Sequence, residues 1–323
     1  MDHRTESNAV ISTNVEYLHN HMFINKTSPA PNMRRMSPIA EQKYESKRFL
    51  PWFWPDNELA ESIDLRRKEF IRNPDSVLRI GETAVQTAAS RLLVLQADYL
   101  AYQYPDAYTL ENSHVINKIT DERFSLNTDN SSLDALAISG LLGQEDICMV
   151  EQQDDERHIM AAGFVASPTD WDLPKFIGLG MDQVHAKVAG YSDRLKATVD
   201  RSLISLPEFP ERQFARNNIF LEQNSALAIF PSSKPQLDPA TISDPGNEIY
   251  LRTERETLTR LPSENRRFIV FTIKPHVYRL ADVAANNRHH DLADAIVTNK
   301  VLRRNEALAL TALDYLLSFD SGN

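Results

Sequence analysis

The chain has 323 residues, 42% of them hydrophobic, which is enough for one large domain or two modest ones around a substantial core. Its 35 Lys and Arg against 45 Asp and Glu leave a net charge of −10, which repels phosphate backbones and anionic lipid and so argues against nucleic acid and membrane as partners. One cysteine, Cys148, excludes an internal disulfide, a Cys-rich zinc site and a cysteine-ligated iron–sulfur cluster; no run approaches the roughly 20 apolar residues of a membrane helix, the opening lacks a secretory apolar region, and a cytoplasmic location is expected.

In chain order, residues 1–48 are rich in Asn, Ser, Pro, Met and charge without a sustained period, the signature of a flexible tail, and residues 49–323 are expected to form a single domain. His19 and His21 fall in the tail and read as a surface pair. Phe49-Leu-Pro-Trp-Phe-Trp-Pro55 places aromatics between prolines, which suits an extended arm pinned onto a core better than a ligand-stacking platform.

After Asp56 a helical stripe of Leu59, Ile63, Phe70 and Ile71 ends near Asn73-Pro74, and a longer one of Ile80, Ala84, Ala88, Leu92, Leu95 and Tyr99 stops before Pro105. The middle changes to short apolar runs at residues 146–150, 158–165, 218–221, 248–260 and 267–274, all read as strands. The last is apolar on both alternating faces, as a central strand is. Residues 231–246, with several prolines and no period, read as a loop of the length that often covers a site. Leu280, Val283, Leu292, Ala295, Ile296, Leu310, Leu313 and Leu317 return the pattern to helix. The sum is an α+β chain with an antiparallel sheet, without a Gly-rich phosphate loop or dinucleotide fingerprint.

Three constellations carry possible chemistry. His185 lies in Phe176-Ile-Gly-Leu-Gly-Met-Asp-Gln-Val-His-Ala-Lys-Val-Ala-Gly-Tyr191, whose glycines allow close approach of backbone to a flat ligand; a structural histidine is the competing reading. In Leu251-Arg-Thr-Glu-Arg-Glu-Thr-Leu-Thr-Arg-Leu-Pro262, Arg255 accompanies apolar residues in either a strand or a helix, and a buried arginine needs an anion, met by Glu254 or by a ligand's carboxylate. Arg216-Asn-Asn-Ile219 sets a polar pair before a strand, where Asn217 and Asn218 orient a substrate or cap a turn. His289 and His290 read as a polar helix face, His158 follows an acidic run, and His276 lies after the two-faced strand.

The order of these segments from about residue 49 to 300 resembles the haem-dependent oxidative N-demethylase family. Residues 251–262 and Phe271-Thr-Ile-Lys274 stand against a family pattern of Leu-Arg-x-Glu-Arg-Gln-Thr-Leu-x-Arg-Leu-Pro and Phe-Thr-Ile-Arg. Glu145-Asp-Ile-Cys-Met-Val150, Pro168-Thr-Asp-Trp171, Ile177-Gly178 and Val184-His185 before Gly190-Tyr191 follow in matching order. The resemblance implies a PAS-like antiparallel core flanked by helices, bound haem b, a small organic substrate, dioxygen as oxidant, and a separate reductase supplying electrons. It makes His185 the expected axial ligand of iron, Arg216, Arg255 and Arg260 haem contacts, and Arg255 and Tyr191 catalytic residues. The family's His-x-Pro-Val-Pro-Gly-Tyr, Arg-x-Asn-Trp and Glu-Arg-Gln are His185-Ala-Lys-Val-Ala-Gly-Tyr191, Arg216-Asn-Asn-Ile219 and Glu254-Arg-Glu256 in this chain, so an amine or secondary metabolite other than dimethylamine is expected. A haem-based sensor and a member that has lost haem, serving as an interaction module or cofactor-free enzyme, are the competing functions. An open slot walled by His185 and Arg255 would favour haem; a filled apolar core would favour its loss.

Overall fold

The computed structural model describes residues 34–35, 52–81, 83–128, 134–186, 196–206, 208, 214–234, 238–262, 267–285, 289–298 and 302–319. Among them ten strands form two antiparallel sheets: β1 (Arg34–Arg35), β2 (Leu78–Ile80), β3 (Tyr108–Glu111), β4 (His114–Asn117), β5 (Glu122–Ser125), β6 (Asp146–Gln152), β7 (His158–Phe164), β8 (Phe214–Glu222), β9 (Tyr250–Arg260) and β10 (Phe268–Arg279). Seven build the main sheet in the order β1-β8-β9-β10-β6-β7-β2, and β3-β4-β5 form a small meander. The mixed α+β expectation holds. Within residues 1–48, Arg34 and Arg35 pair with Ala215 and Phe214 at the sheet edge.

β10 is central, as its two apolar faces require, and it runs five residues beyond the expected end at Lys274. Pro275 is tolerated because β6 pairs only as far as Ile273, so the missing N–H falls where β10 has β9 alone as neighbour. His276 therefore belongs to the strand instead of following it.

One face of the sheet is covered by helix. Helix α1 (Leu59–Arg72) buries Leu59, Ile63 and Arg66, spaced four and three apart, and packs Phe70 on the core. Ile71, expected in the same stripe, lies off that line and is 73% exposed. Helix α2 (Thr83–Gln103) starts three residues later than its period suggests, because Ile80 is taken by β2 pairing with Ala162. Helix α3 (Ala135–Leu142) is buried on every side. These helices, with Phe268, Val270, Ile147 and Met149 from the sheet, form the largest core.

Helices α4 (Leu280–Ala285), α5 (His289–Thr298) and α6 (Glu306–Ser318) form a second core with Ile219, Leu221, Leu251 and Tyr278 at the other end of the same face. Arg66, 1% exposed, ties the first layer down: it donates to the carbonyls of Gly140, Gln144 and Glu145 and, at 2.8 Å, to Asp146, whose carboxylate also accepts from the Ala166 and Ser167 amides. No helix among the described residues is long and apolar enough to cross a membrane.

Candidate functional site

Side chains alternate along β9, so the Leu251–Arg260 motif serves two faces. On the helix-covered face, between the two cores, Thr253, Arg255 and Thr257 of β9 sit beside Thr272, Lys274 and His276 of β10, all buried. Residues 52–56 lie over them. Trp52 and Phe53 are at most 1% exposed, so these two rings are anchors built into the core.

Its main chain is held by side chains from distant parts of the sequence. Trp52 N donates to Tyr99 Oη at 2.9 Å, Trp54 N to Glu145 Oε1 at 2.7 Å and Asp56 N to Gln144 Oε1 at 2.9 Å; the Trp54 carbonyl accepts from Lys274 Nζ. The Arg255 guanidinium lies 5.4 Å from the Trp54 ring centroid, a cation–π distance. Asp56 is the acidic centre of the group, 2.7 Å from Lys274 Nζ and 3.1 Å from His276 Nε2. Burial alone would raise its carboxyl, but the His276 hydrogen bond and the Lys274 ammonium outweigh that and hold it well below the usual carboxylate range. Burial lowers both Lys274 and His276. A carboxylate can only accept, so His276 donates through Nε2.

The opposite face is half open. Asn218, Phe220 and Glu222 of β8, Glu254 and Leu258 of β9, and Phe271 and Ile273 of β10 are only partly buried, although their strands are interior and the same strands are closed on the other side. Phe214, Leu258, Phe271 and Cys148 form one row across four strands, an apolar floor. Trp171, Phe176, Ile177 and Val184 pack as a wall beside it, with Trp171 stacked on Phe176 at 4.9 Å and 13°. Thr169 Oγ1 donates to Glu254 Oε1 at 3.0 Å, and Asn218 Nδ2 donates to Glu256.

His185 closes the short helical turn Met181–Val184 that packs on this floor through Met181 and Val184. Its Nδ1 lies 2.7 Å from the Met181 carbonyl, which can only accept, so Nδ1 carries a proton and donates it there. Histidine ligands of metals are held in this way. Gly178 adopts φ +83 with open space where a Cβ would lie, so it serves a left-handed turn and not a close approach. His158, 9% exposed on the same face, is lowered first by burial and then by Arg260.

The structure thus does not bring the expected site residues together in one place. His185 lies on the half-open face. Arg260 lies there too, but donates to the carbonyls of Leu203 and Leu206 and so holds the end of helix Lys196–Ser205. Arg216 occupies the β8 position opposite Glu256. Arg255 faces the other way, and Glu254, expected as its anion, instead accepts from Arg252 at 3.2 Å, because neighbouring strand residues point to opposite faces. His185 and Arg255 therefore lie on opposite sides of the sheet and do not wall one slot together. Tyr191 and Gly190 lie outside the described residues. Sequence reasoning passed over the roles of Asp56, Gln144, Glu145, Lys274 and His276; a lysine within a strand apolar on both faces was the available signal.

Comparison with known proteins gives one family. The model described as haem-dependent oxidative N-demethylase, alpha subunit-like, matches residues 44–301. None of the curated proteins matches the chain.

Proposed function

Because the chain belongs to the haem-dependent oxidative N-demethylase, alpha subunit-like family, we propose that it is a haem b-dependent oxygenase with a PAS-like core, acting on a small organic substrate, an amine or a secondary metabolite. The observation that carries this reading is convergence: Thr169, Trp171, Ile177, Val184 and Glu254, from separate segments of the family resemblance, all border one half-open apolar floor beside His185. That floor also favours retention of the cofactor over its loss, since a chain without one gains nothing by leaving Leu258, Phe271 and Ile273 partly uncovered in the middle of a sheet.

In this reading His185 would hold the haem iron, with its ring oriented by the Nδ1 hydrogen bond to the Met181 carbonyl. Bound haem supplies dioxygen activation for oxidation of a substrate carbon. Phe214, Leu258 and Phe271 would exclude water from the bound cofactor, and Glu254, held by Thr169 and Arg252, would orient a cationic substrate group. Arg216 and Arg260 would contact the haem, Arg260 in addition to the Leu203 and Leu206 carbonyls it holds, and Tyr191 would meet the substrate. Arg255 is assigned to holding residues 52–54. A separate reductase supplies electrons, because the single cysteine leaves no set of ligands for an iron–sulfur centre.

Expression with adequate haem should give a Soret band that His185→Ala abolishes, and the isolated holoprotein should oxidise no NADPH unaided. Protein without a Soret band overturns the haem reading. Brisk formaldehyde release from dimethylamine overturns the substrate shift.

A further inference from the structure

Beside the half-open floor, the next row of the sheet is closed. Arg260, Ile269, Val150 and Met160 stand in register across β9, β10, β6 and β7, and helix Lys196–Ser205 packs over this row through Val199 and Leu203. The helix thus sets where the open part of the face ends. At its end Arg260 donates to the Leu203 and Leu206 carbonyls, and the remaining guanidinium nitrogen reaches Gln152 Oε1 at 3.2 Å. At its start Lys196 bridges Asp182 at 2.7 Å and Asp200 at 3.0 Å. His158, two residues before Met160 on the same side of β7, stands opposite Gln152 and so beside the Arg260 guanidinium. It is buried, and its Nε2 has no hydrogen-bond partner among the described residues. A neutral ring can leave a lone pair there, whereas an imidazolium must bury an N–H. The surrounding charges do not favour that ion. Arg260 of β9 opposes it; Asp200 of the helix attracts it, but is exposed and shared with Lys196, which also holds Asp182. Arg267, next to β10, and Asp154 neutralise each other at 2.5 Å. Burial and then Arg260 accordingly hold the ring below its ordinary value.

We propose that helix Lys196–Ser205 is an acid-released lid on this face, with His158 as its trigger and Arg260 as its clasp. A proton added to the ring puts a second cation beside Arg260 and obliges both ring nitrogens to donate; lifting the helix relieves both, because water then reaches the ring. The closed lid is favoured above the ordinary histidine value and loses that advantage as pH falls below it. Lifting bares Ile269, Val150 and Met160 and lengthens the open floor by one row. The lid itself does not depend on haem; its use, a wider approach to the site in acid, rests on the proposed function.

Amide hydrogen exchange of the full chain, expressed with and without added haem, tests the lid at pH 7.5 and 5.5, each rate being corrected for its intrinsic pH dependence. Amides of the helix should exchange faster than those at the centre of β10 at both pH values, as a lid that opens alone requires. Their opening should rise several-fold on acidification, to a limit of about tenfold set by a ring that titrates near pH 6.5 when free. His158→Gln should flatten that rise. Asp200→Asn leaves the ring in place and removes its one attraction, so the rise should persist or steepen. Helix amides that exchange only as fast as β10, a rise below about twofold, a rise that survives His158→Gln, or one abolished by Asp200→Asn overturns the proposal. The rise in protein that shows no Soret band would sink the haem reading and leave the lid standing.

Discussion

Replacing Asp56 by alanine tests the ionic centre beneath residues 52–56. The carboxylate is 1% exposed and receives Lys274 Nζ at 2.7 Å, His276 Nε2 at 3.1 Å, Gln144 Nε2 at 2.8 Å and Glu58 N at 2.9 Å. Without it the Lys274 ammonium, equally buried, loses its nearest carboxylate and keeps the neutral Trp54 and Gln144 oxygens and the more distant charge of Glu145. Deleting one partner of a buried pair costs about 3–5 kcal/mol, whereas exchanging both for apolar groups is often near neutral. Asp56→Ala should thus lower the unfolding free energy by about 3–5 kcal/mol, or Tm by roughly 6–20 °C for a domain of this size. Asp56→Ala combined with Lys274→Met should recover about 2 kcal/mol or more of that loss. Urea unfolding followed by tryptophan fluorescence reads the site directly, since Trp52 and Trp54 border it. A single variant within about 1 kcal/mol of the parent, or a double variant whose cost equals the sum of the singles, would refute the account.

His276 and His158 are both lowered, first by burial, so the unfolded chain takes up protons at these rings below about pH 6.5 where the folded chain does not. Their contribution is complete above that pH and is lost as pH falls toward the folded values; urea midpoints should drop between pH 7.5 and 5, and a drop that survives His158→Gln with His276→Gln would assign it elsewhere. Gly140→Ala should destabilise by about 1–3 kcal/mol, because its Cβ would enter the Phe164 ring; a thermal melt unchanged from the parent would contradict this. Cys148 is buried, and its thiol is pushed up by burial and then by Asp146 and Glu256, so it should resist thiol reagents at pH 8 until urea unfolds the chain.

Much of the framework was legible because periodicity survives where one face is buried. The stripe of α1, the long helix before Pro105 and the two-faced β10 all follow from spacing. The meander β3-β4-β5 was not legible, because its strands are four residues each and carry as much polar as apolar surface. Helix α3 escaped because a segment buried all round has no stripe. At the site, resemblance supplied the family and spacing supplied His185 as one of two readings. What spacing could not supply was the side of the sheet on which Arg255 falls, since a helix and a strand both put it among apolar neighbours. The ionic centre was hidden for a different reason: Asp56 and Lys274 are far apart in sequence, and only the fold makes them partners.

The alternation of β9 also limits how this chain can change. Removing or adding a single residue between 251 and 260 would exchange the two sides of the strand, sending Glu254 and Glu256 into the closed core and Arg255 out of it. Length at this segment is therefore constrained throughout, while identity is least constrained at the partly buried Glu254 and Leu258. Exchanges at 254 and 258, the partly buried positions, alter the half-open face and leave the Asp56–Lys274 centre untouched, so under the proposed reading they would shift substrate preference without disturbing the other side of the same strand.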